Sequence, residues 1–259
     1  MLCSASNTDP VDVSVVVAAH NEELLLPRCL DAIERQHGDA RVELIVVDNL
    51  STDGTAAIAL GRPYVRLVRE STLGAVHAKA AGVRAARGAI VAVIDADSVC
   101  PPDWLERIVT RFRKEPELVG LTGPARYVDG CFWAPALVWI WYAWWRLVAL
   151  VSRRAVYAVG ANVAFRRSAY ERSAGFDTRV LVGGDEIALF SALAKIGHTR
   201  FDKTLVVQTD ARRMNVGFLR FSWEVFFLRY VVNYTYFRLT GRSLLTAYRP
   251  GSSLAKVRR

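Results

Sequence analysis

The sequence predicts an α/β protein with a doubly wound, mostly parallel sheet and helices on both faces. Short apolar runs rich in β-branched residues alternate with segments of helical composition. Runs of this kind are typical of strands buried on both faces, as in a parallel sheet. Three of them end in polar loops that carry carboxylates. Because the carboxyl ends of parallel strands share one edge, the sequence predicts a binding site there.

The elements follow in order along the chain. The first strand is predicted over Val13–Ala19, and the fourth runs from Ala89 towards Asp95. The strands between them are predicted over 42–47 and 64–68. The predicted helices are 24–36, 56–60, 74–86, 103–114 and 187–196. Turn and capping residues precede the second helix, Gly88 is expected to end the third, and the fourth has an amphipathic pattern.

Composition excludes several classes of protein. A chain of 259 residues suits one α/β domain with appendages. Its four cysteines form no Cys-x-x-Cys pair, which argues against a zinc site or disulfide framework and indicates a reducing compartment. The first eleven residues lack the pattern of a secretory signal. No Gly-x-Gly-x-x-Gly follows the first strand and no P-loop motif occurs, so dinucleotide binding and P-loop ATPase activity are not expected.

Two carboxylates, Asp95 and Asp97, stand one residue apart at the end of the fourth strand. Their hard oxygen donors suit Mg²⁺ or Mn²⁺, and such an ion can hold a diphosphate. A turn at the strand end would let both side chains reach one site. The alternative is that Asp97 only begins a turn or caps the next helix.

Seven motifs occur in the order seen in family 2 glycosyltransferases of the GT-A fold, and the chain resembles that family over roughly residues 11–212. The motifs cover residues 15–23, 46–55, 78–82, 95–97, 160–167, 175–177 and 184–186. The resemblance implies a GT-A domain over 1–215, with a nucleotide-binding half at about 11–100 and an acceptor half at about 101–215. Residues 216–259 would form a separate basic, aromatic helical segment and tail.

By this resemblance, the first loops hold the nucleotide. The implied nucleotide-binding residues are Ala19, Asn21, Glu22, Asp48, Asp53, Lys79 and Asp95. Asp48 would accept a hydrogen bond from a pyrimidine N–H, and Lys79 would place a cation near the nucleotide or its phosphates. The alternatives are a helix N-cap for Asp53 and a solvated helix position for Lys79.

The same resemblance implies the chemistry. Asp97 would hold Mg²⁺ or Mn²⁺, which offsets the charge of the departing nucleoside diphosphate. An inverting enzyme also needs a general base, expected in the pair Asp185 and Glu186 at a helix N-terminus, which favours an ionised carboxylate. The family usually has Glu-Asp here, whereas this chain has Asp-Glu. The adjacent Gly184 aligns Asp185 with the usual base, while the spacing to Leu189 aligns Glu186 with it, so Asp185 is preferred and Glu186 stays open. The implied sugar and acceptor pocket contains Gly160, Asn162 and Arg212.

The net charge of +9 comes entirely from residues 211–259, which hold ten basic residues and one acid. Aromatic residues accompany these charges, which favours an anionic membrane surface over nucleic acid. Residues 132–145 form a second aromatic run without charge. The apolar segment 132–151 is short for a bilayer span. An interfacial helix is therefore favoured, and the alternatives are a buried core or dimer contact and a membrane span. We expect a cytoplasmic protein, peripheral on the inner face of the cell membrane.

The resulting hypothesis is an inverting, metal-dependent transfer of one sugar from a nucleotide sugar to a hydroxyl acceptor, with a lipid-linked acceptor as one option. A UDP-sugar is favoured and a GDP-sugar remains open. Two alternatives are a nucleotidyltransferase of similar fold and a non-catalytic membrane- or partner-binding module. The first is disfavoured because the loop after the first strand lacks the glycines and lysine of a triphosphate site.

Overall fold

The computed structural model describes residues 3–4, 11–128, 158–180 and 184–212, together with single positions near the C-terminus. Those positions are Trp223, Phe227, Val232, Asn233, Tyr236, Leu239 and Thr240. The aromatic segment 132–151 and most of the segment 216–259 lie outside the described residues, so the predictions for them stay predictions. Where the structure describes the chain, its helices are too short or too polar to cross a bilayer.

The structure has eleven described strands in two sheets. They are β1 Cys3–Ser4, β2 Val13–Ala19, β3 Arg41–Asp48, β4 Val65–Arg69, β5 Ile90–Asp95, β6 Ser98–Val99, β7 Leu118–Thr122, β8 Ala125–Val128, β9 Val163–Arg166, β10 His198–Phe201 and β11 Val207–Asp210. The larger sheet has the order β1-β3-β2-β5-β9-β7-β10, and β4 also pairs with β3. All its pairings are parallel except those of β9, which runs antiparallel to both β5 and β7.

Six described helices cover the two faces of this sheet. They are α1 Leu26–Glu34, α2 Thr55–Leu60, α3 Ala75–Ala85, α4 Trp104–Lys114, α5 Arg167–Arg172 and α6 Asp185–Leu193. Successive residues of β2 belong to different cores: Val15 and Val17 pack in the cluster that contains α1 and α4, while Val16 packs in the cluster with α3 and α6. This alternation is what a sheet covered on both faces requires, and the predicted fold class is confirmed.

Several observed element boundaries differ by a few residues from the predicted ones, and the predicted role of Gly88 was wrong. Helix α3 ends at Ala85, before Gly88, so Gly88 does not end it. A Cβ at Gly88 would lie 2.5 Å from the backbone nitrogen of Ser14. Gly88 is therefore needed where the chain passes close to β2. Helix α6 begins at Asp185 rather than Ile187, immediately after Gly184, whose φ of +94° suits glycine.

A second, small sheet was not anticipated by the sequence pattern. Strand β11 pairs antiparallel with β6 and parallel with β8. This pairing brings the end of β11 beside the turn that follows β5, where the Asp210 N–H donates to the Asp97 carbonyl over 3.2 Å. The late part of the chain is thereby fixed next to the Asp-x-Asp turn.

Candidate active site

The ends of three parallel strands form the edge on which the site is built. In the register of the sheet, Ala19 at the end of β2 faces Asp48 at the end of β3, and Ala18 faces Asp95 at the end of β5. The three predicted nucleotide-binding residues Ala19, Asp48 and Asp95 therefore lie side by side. The expected convergence of the strand ends is observed for these positions.

The loops after β2 and β3 are tied into one wall. The Asn21 amide oxygen accepts a hydrogen bond from the Thr52 N–H at 2.8 Å, and the Asn21 N–H donates to the Ser51 hydroxyl at 3.0 Å. Asn21 has φ of 55° and Leu50 has φ of 60°, and these are the positive-φ non-glycine residues of the described chain. Left-handed backbone at a half-exposed leucine is uncommon and typical of functional loops.

The side chains of Asp48 and Asp53 both accept hydrogen bonds from backbone N–H groups of these two loops. Asp48 is nearly buried and its Oδ1 accepts a hydrogen bond from the Ser51 N–H at 3.2 Å. Asp53 accepts from the Thr55 N–H at 3.0 Å, in the first turn of α2, and from the Glu23 N–H at 3.2 Å. Burial raises the pKa of Asp53, but these hydrogen bonds more than offset it and hold the pKa low. Asp53 thus joins the two loops next to the start of α2, whose N-cap residue is Gly54.

A group of four charged side chains, the lysine cluster, joins α3 to α6, and all of them except the partly exposed Asp95 are buried. It consists of Lys79, Asp95, Asp185 and Glu186. The Lys79 ammonium lies 2.6 Å from Glu186 Oε1, 3.5 Å from Asp185 Oδ2 and 4.0 Å from Asp95 Oδ1. Only 3% of Lys79 is exposed. The alternative of a solvated helix lysine is therefore wrong, and the two acids predicted to contain the base reach the Asp-x-Asp strand.

Gly160 lies directly against this cluster. A Cβ built at Gly160 would lie 1.9 Å from Glu186 Oε1 and 3.1 Å from the Lys79 nitrogen. Only a residue without a side chain leaves room for the Lys79–Glu186 pair in this position. The predicted pocket residue Gly160 is thus in contact with the predicted base pair.

The two acids of α6 differ in their protonation. Burial and the neighbouring Glu186 charge raise the pKa of Asp185 to about 7, while Lys79 acts in the opposite direction. Burial also raises the pKa of Glu186, but the pairing with Lys79 outweighs it and lowers that pKa. The helix N-terminus was expected to favour an ionised Asp185. Its effect, typically about 0.3–1 kcal/mol, is outweighed by burial beside a second acid.

A second group, the arginine cluster, consists of Glu22, Asp97 and Arg212. The Arg212 guanidinium donates to Glu22 Oε1 and to Asp97 Oδ2, the latter over 3.3 Å. The hydroxyl of Thr209 donates to Asp97 Oδ1 over 3.2 Å. Arg212 was predicted for the sugar and acceptor pocket, and here it connects the loop after β2 with the Asp-x-Asp turn.

The two aspartates of the Asp-x-Asp turn belong to different clusters. Asp95 lies near Lys79, which also contacts the two acids of α6, whereas Asp97 contacts Arg212 and Thr209 at the end of β11. The turn therefore joins the two clusters. Thr209 and Asp210 were missed by the sequence reasoning, although their position just before Arg212 was a usable signal.

The donor chemistry near Asp97 fits a hard divalent cation. Asp97 and Asp210 line one small cleft, together with Leu25, Arg28, Val99, Val128 and Gln208. Carboxylate oxygens are the ligands that Mg²⁺ and Mn²⁺ prefer, and such ions take their remaining ligands from phosphates and water. In the described ranges, no group of three or more His, Cys, Asp or Glu residues suited to a metal occurs. Protein carboxylates would thus supply only part of the coordination.

Asn162 is placed differently from the expectation. It is fully buried, its Oδ1 accepts from Trp104 Nε1 at 3.0 Å, and its Nδ2 donates to the Leu205 carbonyl at 2.6 Å. The side chain thus joins α4 to the loop before β11 inside the core. The structure corrects the prediction that this amide lines the sugar pocket, because both ends of it are engaged elsewhere.

The strand order, the single antiparallel strand beside β5 and the acids gathered at the end of β5 define a GT-A glycosyltransferase fold. The sequence model described as "Glycosyl transferase family 2" matches residues 14–173. The chain belongs to this family, and the predicted resemblance and transferase class are confirmed.

Three similar proteins illustrate the relationship. The chain is 40% identical over 103 residues to the succinoglycan biosynthesis protein ExoO of Rhizobium meliloti, covering 39% of this chain and 29% of that protein. It is 32% identical over 123 residues to the undecaprenyl-phosphate 4-deoxy-4-formamido-L-arabinose transferase of Aeromonas hydrophila, covering 44% and 38% respectively. The structure of the mannosyltransferase PcManGT of Pyrobaculum calidifontis, in complex with GDP-Man and Mn²⁺, matches with a TM-score of 0.60 and 28% identity, over 78% of this chain and 57% of that chain. The chain spans less than two thirds of each of these proteins.

Proposed function

We propose that this chain transfers one sugar from a nucleotide-sugar donor to a hydroxyl acceptor with inversion at the anomeric carbon. The observation that carries the proposal is the lysine cluster, in which a buried acid from α6 lies beside the strand end that carries Asp95 and Asp97. A base on one side and a diphosphate site on the other are what a single displacement needs.

In this mechanism Asp185 is the general base. Its pKa, raised to about 7, allows it to exist as a carboxylate at neutral pH and to accept a proton efficiently. It takes the proton of the acceptor hydroxyl as that oxygen forms its bond to the anomeric carbon. The bond between the anomeric carbon and the diphosphate oxygen breaks, and the electron pair leaves with the nucleoside diphosphate.

The donor lies between the two clusters. The wall formed by the loops after β2 and β3 holds the base and ribose, with Asp48 at its floor. Arg212 offers a guanidinium to the diphosphate, since its contacts to Glu22 and Asp97 place it at the turn after β5. Asp97 and Asp210 would hold Mg²⁺ or Mn²⁺, which when bound offsets the negative charge of the leaving group.

We further propose an acceptor presented at a membrane surface, on a lipid carrier. Support comes from the Aeromonas hydrophila relative, whose name specifies undecaprenyl phosphate. Trp223 and Phe227 stack with ring centroids 4.9 Å apart and are 58% and 39% exposed, within a segment that carries the whole excess of positive charge. Exposed aromatic residues with basic neighbours favour an anionic surface.

The donor site is tested by thermal shift with GDP-mannose and UDP-N-acetylglucosamine, each with and without Mn²⁺. A ligand that binds only the native state raises Tm, and we expect the rise to depend on Mn²⁺. Asp97→Asn should abolish the Mn²⁺-dependent part of the rise in Tm. The matched control is Asp39→Asn, an exposed aspartate before β3 at the opposite edge of the sheet, which should leave it unchanged. No shift with either donor in the unaltered protein would contradict the proposal.

Turnover is tested by release of the nucleoside diphosphate from the donor that binds, with water in place of the acceptor. Asp185→Asn should lower this release by about 100-fold or more and leave donor binding intact, because general-base catalysis typically contributes 10²–10⁴-fold. Equal release by both proteins would show that Asp185 is not the base. Binding without any release in the unaltered protein would favour a non-catalytic module.

A further inference from the structure

We propose that Lys79 is a positioning residue that pairs with Glu186 and so leaves Asp185 as the only proton acceptor of the site. This inference rests on the proposed function and deepens it, since it states how one base is selected from two adjacent acids. From the sequence, Lys79 was expected to contact the nucleotide or its phosphates, and the proposal assigns it a different role.

The geometry distinguishes the two acids. The Lys79 ammonium is in hydrogen-bond contact with Glu186 Oε1 at 2.6 Å but stands 3.5 Å from Asp185 Oδ2, an atom that accepts no hydrogen bond in the structure. Gly160 covers the Lys79–Glu186 pair so closely that a single added carbon would overlap Glu186. Glu186 is thus held on both sides, whereas Asp185 Oδ2 keeps its lone pairs for a proton.

The energetics point the same way. A carboxylate paired with a buried ammonium is stabilised in its charged form, and it becomes a weaker base. A buried acid beside another acid is stabilised in its protonated form and titrates closer to neutral pH. Lys79 therefore lowers the basicity of Glu186 more than that of Asp185, and the pair can act with one proton acceptor instead of two that share a proton.

Two charged groups of the described chain act on Asp185, namely Lys79 from α3 and Glu186 from α6 itself. A third, Asp95 at the end of β5, lies 4.0 Å from the same Lys79 ammonium. Removing the ammonium would leave three acids together, and the base would hold its proton to higher pH. Removing the Glu186 charge while Lys79 remains would have the opposite effect, and the base would release its proton at lower pH.

The experiment compares Lys79→Met, Glu186→Gln and the double variant with the unaltered protein. The pH dependence of nucleoside diphosphate release from GDP-mannose or UDP-N-acetylglucosamine is measured with Mn²⁺. We expect the acid limb to move up by about one pH unit or more in Lys79→Met and down by a similar amount in Glu186→Gln. The double variant, in which both charges of the pair are absent, should return towards the original profile.

A second measurement does not depend on turnover. Proteins with ¹³C-labelled aspartate are titrated by carbon NMR, and the Asp185 carboxyl signal is assigned by its loss in Asp185→Asn. The titration midpoint of this signal is expected to rise in Lys79→Met and to fall in Glu186→Gln. If Lys79→Met does not fold, the Glu186→Gln shift to lower pH tests the proposal alone.

Rates that fall without a shift of either titration would assign the pair a purely structural role and overturn the inference. An inactive Glu186→Gln with an active Asp185→Asn would overturn it as well, because Glu186 would then be the base. Shifted NMR titrations without any donor turnover in the unaltered protein would support the pairing and contradict the proposed function, so the two failures can be told apart.

Discussion

The substitution Gly160→Ala tests how tightly the site is packed. The new Cβ would lie 1.9 Å from Glu186 Oε1 and 2.6 Å from its Cδ. Ordinary carbon contacts are about 3.5–4.0 Å, so the carboxylate must move by about 2 Å. Overpacking of this kind costs about 1–3 kcal/mol, and weakening a buried ion pair, here with Lys79, adds to that cost. We expect a loss of about 3 kcal/mol in the free energy of unfolding.

Urea denaturation measures this loss, and Gly61→Ala provides the control. A Cβ at Gly61, at the end of α2, would lie 3.5 Å from its nearest neighbours, which is an ordinary contact. The control should change stability by less than about 1 kcal/mol, since a permitted Gly→Ala change has only a small effect on the unfolded chain.

A double-mutant cycle with Glu186→Ala identifies the cause. Without the Glu186 carboxylate, the methyl group of Ala at position 160 has space, and the cost of Gly160→Ala should fall by about 2 kcal/mol. Equal costs in both backgrounds would show that Gly160 is required for its backbone and not for its contact with Glu186. A neutral Gly160→Ala change would refute the packing argument outright.

Three further outcomes follow from buried polar groups. Burial raises the pKa of Asp185 to about 7, above its value in the unfolded chain. The stability that the protonated form provides is therefore lost as the pH rises towards and through 7. Urea unfolding at pH 5–8 should show a smaller decline in the free energy of unfolding for Asp185→Asn than for the unaltered protein. The buried Glu43 carboxylate accepts hydrogen bonds from the Ser14 hydroxyl and from the Arg87 N–H, both at 2.6 Å. Burial raises the pKa of Glu43, but these hydrogen bonds and the Arg87 charge lower it overall. Glu43→Gln should therefore cost about 1–3 kcal/mol in urea unfolding at pH 7 and less below pH 4.5. Asn162→Ala should cost about 2–4 kcal/mol by the same method, because Trp104 Nε1–H and the Leu205 carbonyl lose their buried partner.

Each of these expectations has a contradicting result. An unchanged pH dependence in Asp185→Asn would mean that Asp185 is already ionised in the folded protein. A Glu43→Gln penalty that stays constant down to pH 4 would assign it to packing rather than charge. A neutral Asn162→Ala would show that water replaces the amide at both of its buried partners.

The sheet was predictable because its strands are marked directly in the sequence. Strand Val13–Ala19 was predicted with its observed bounds, since an uninterrupted β-branched run bounded by polar residues leaves little choice. The placement of Asp48 and Asp95 at one edge followed from the parallel arrangement alone. These inferences need only local pattern and a general property of parallel sheets.

The contents of the site were harder to predict, because they depend on partners distant in the chain. Lys79 and Glu186 are separated by 107 positions, and nothing near Lys79 in the sequence shows that it would be buried. Strand β6 has two residues, too few for any periodic pattern, so the small sheet beside Asp97 could not be seen. Asn162 lies within a family motif, and a motif does not distinguish a pocket residue from one that supports the core.

Strand β9 has a consequence for any attempt to exchange parts between relatives. It comes from the part of the chain predicted to be the acceptor half, yet it lies between β5 and β7, with Val163 opposite Val93 and Phe165 opposite Val91. A fragment cut near residue 100 would expose the apolar edge of β5, and exposed edges of that kind promote aggregation. Chimeras that combine one donor specificity with another acceptor specificity would therefore have to preserve this four-residue antiparallel register as well as the site itself.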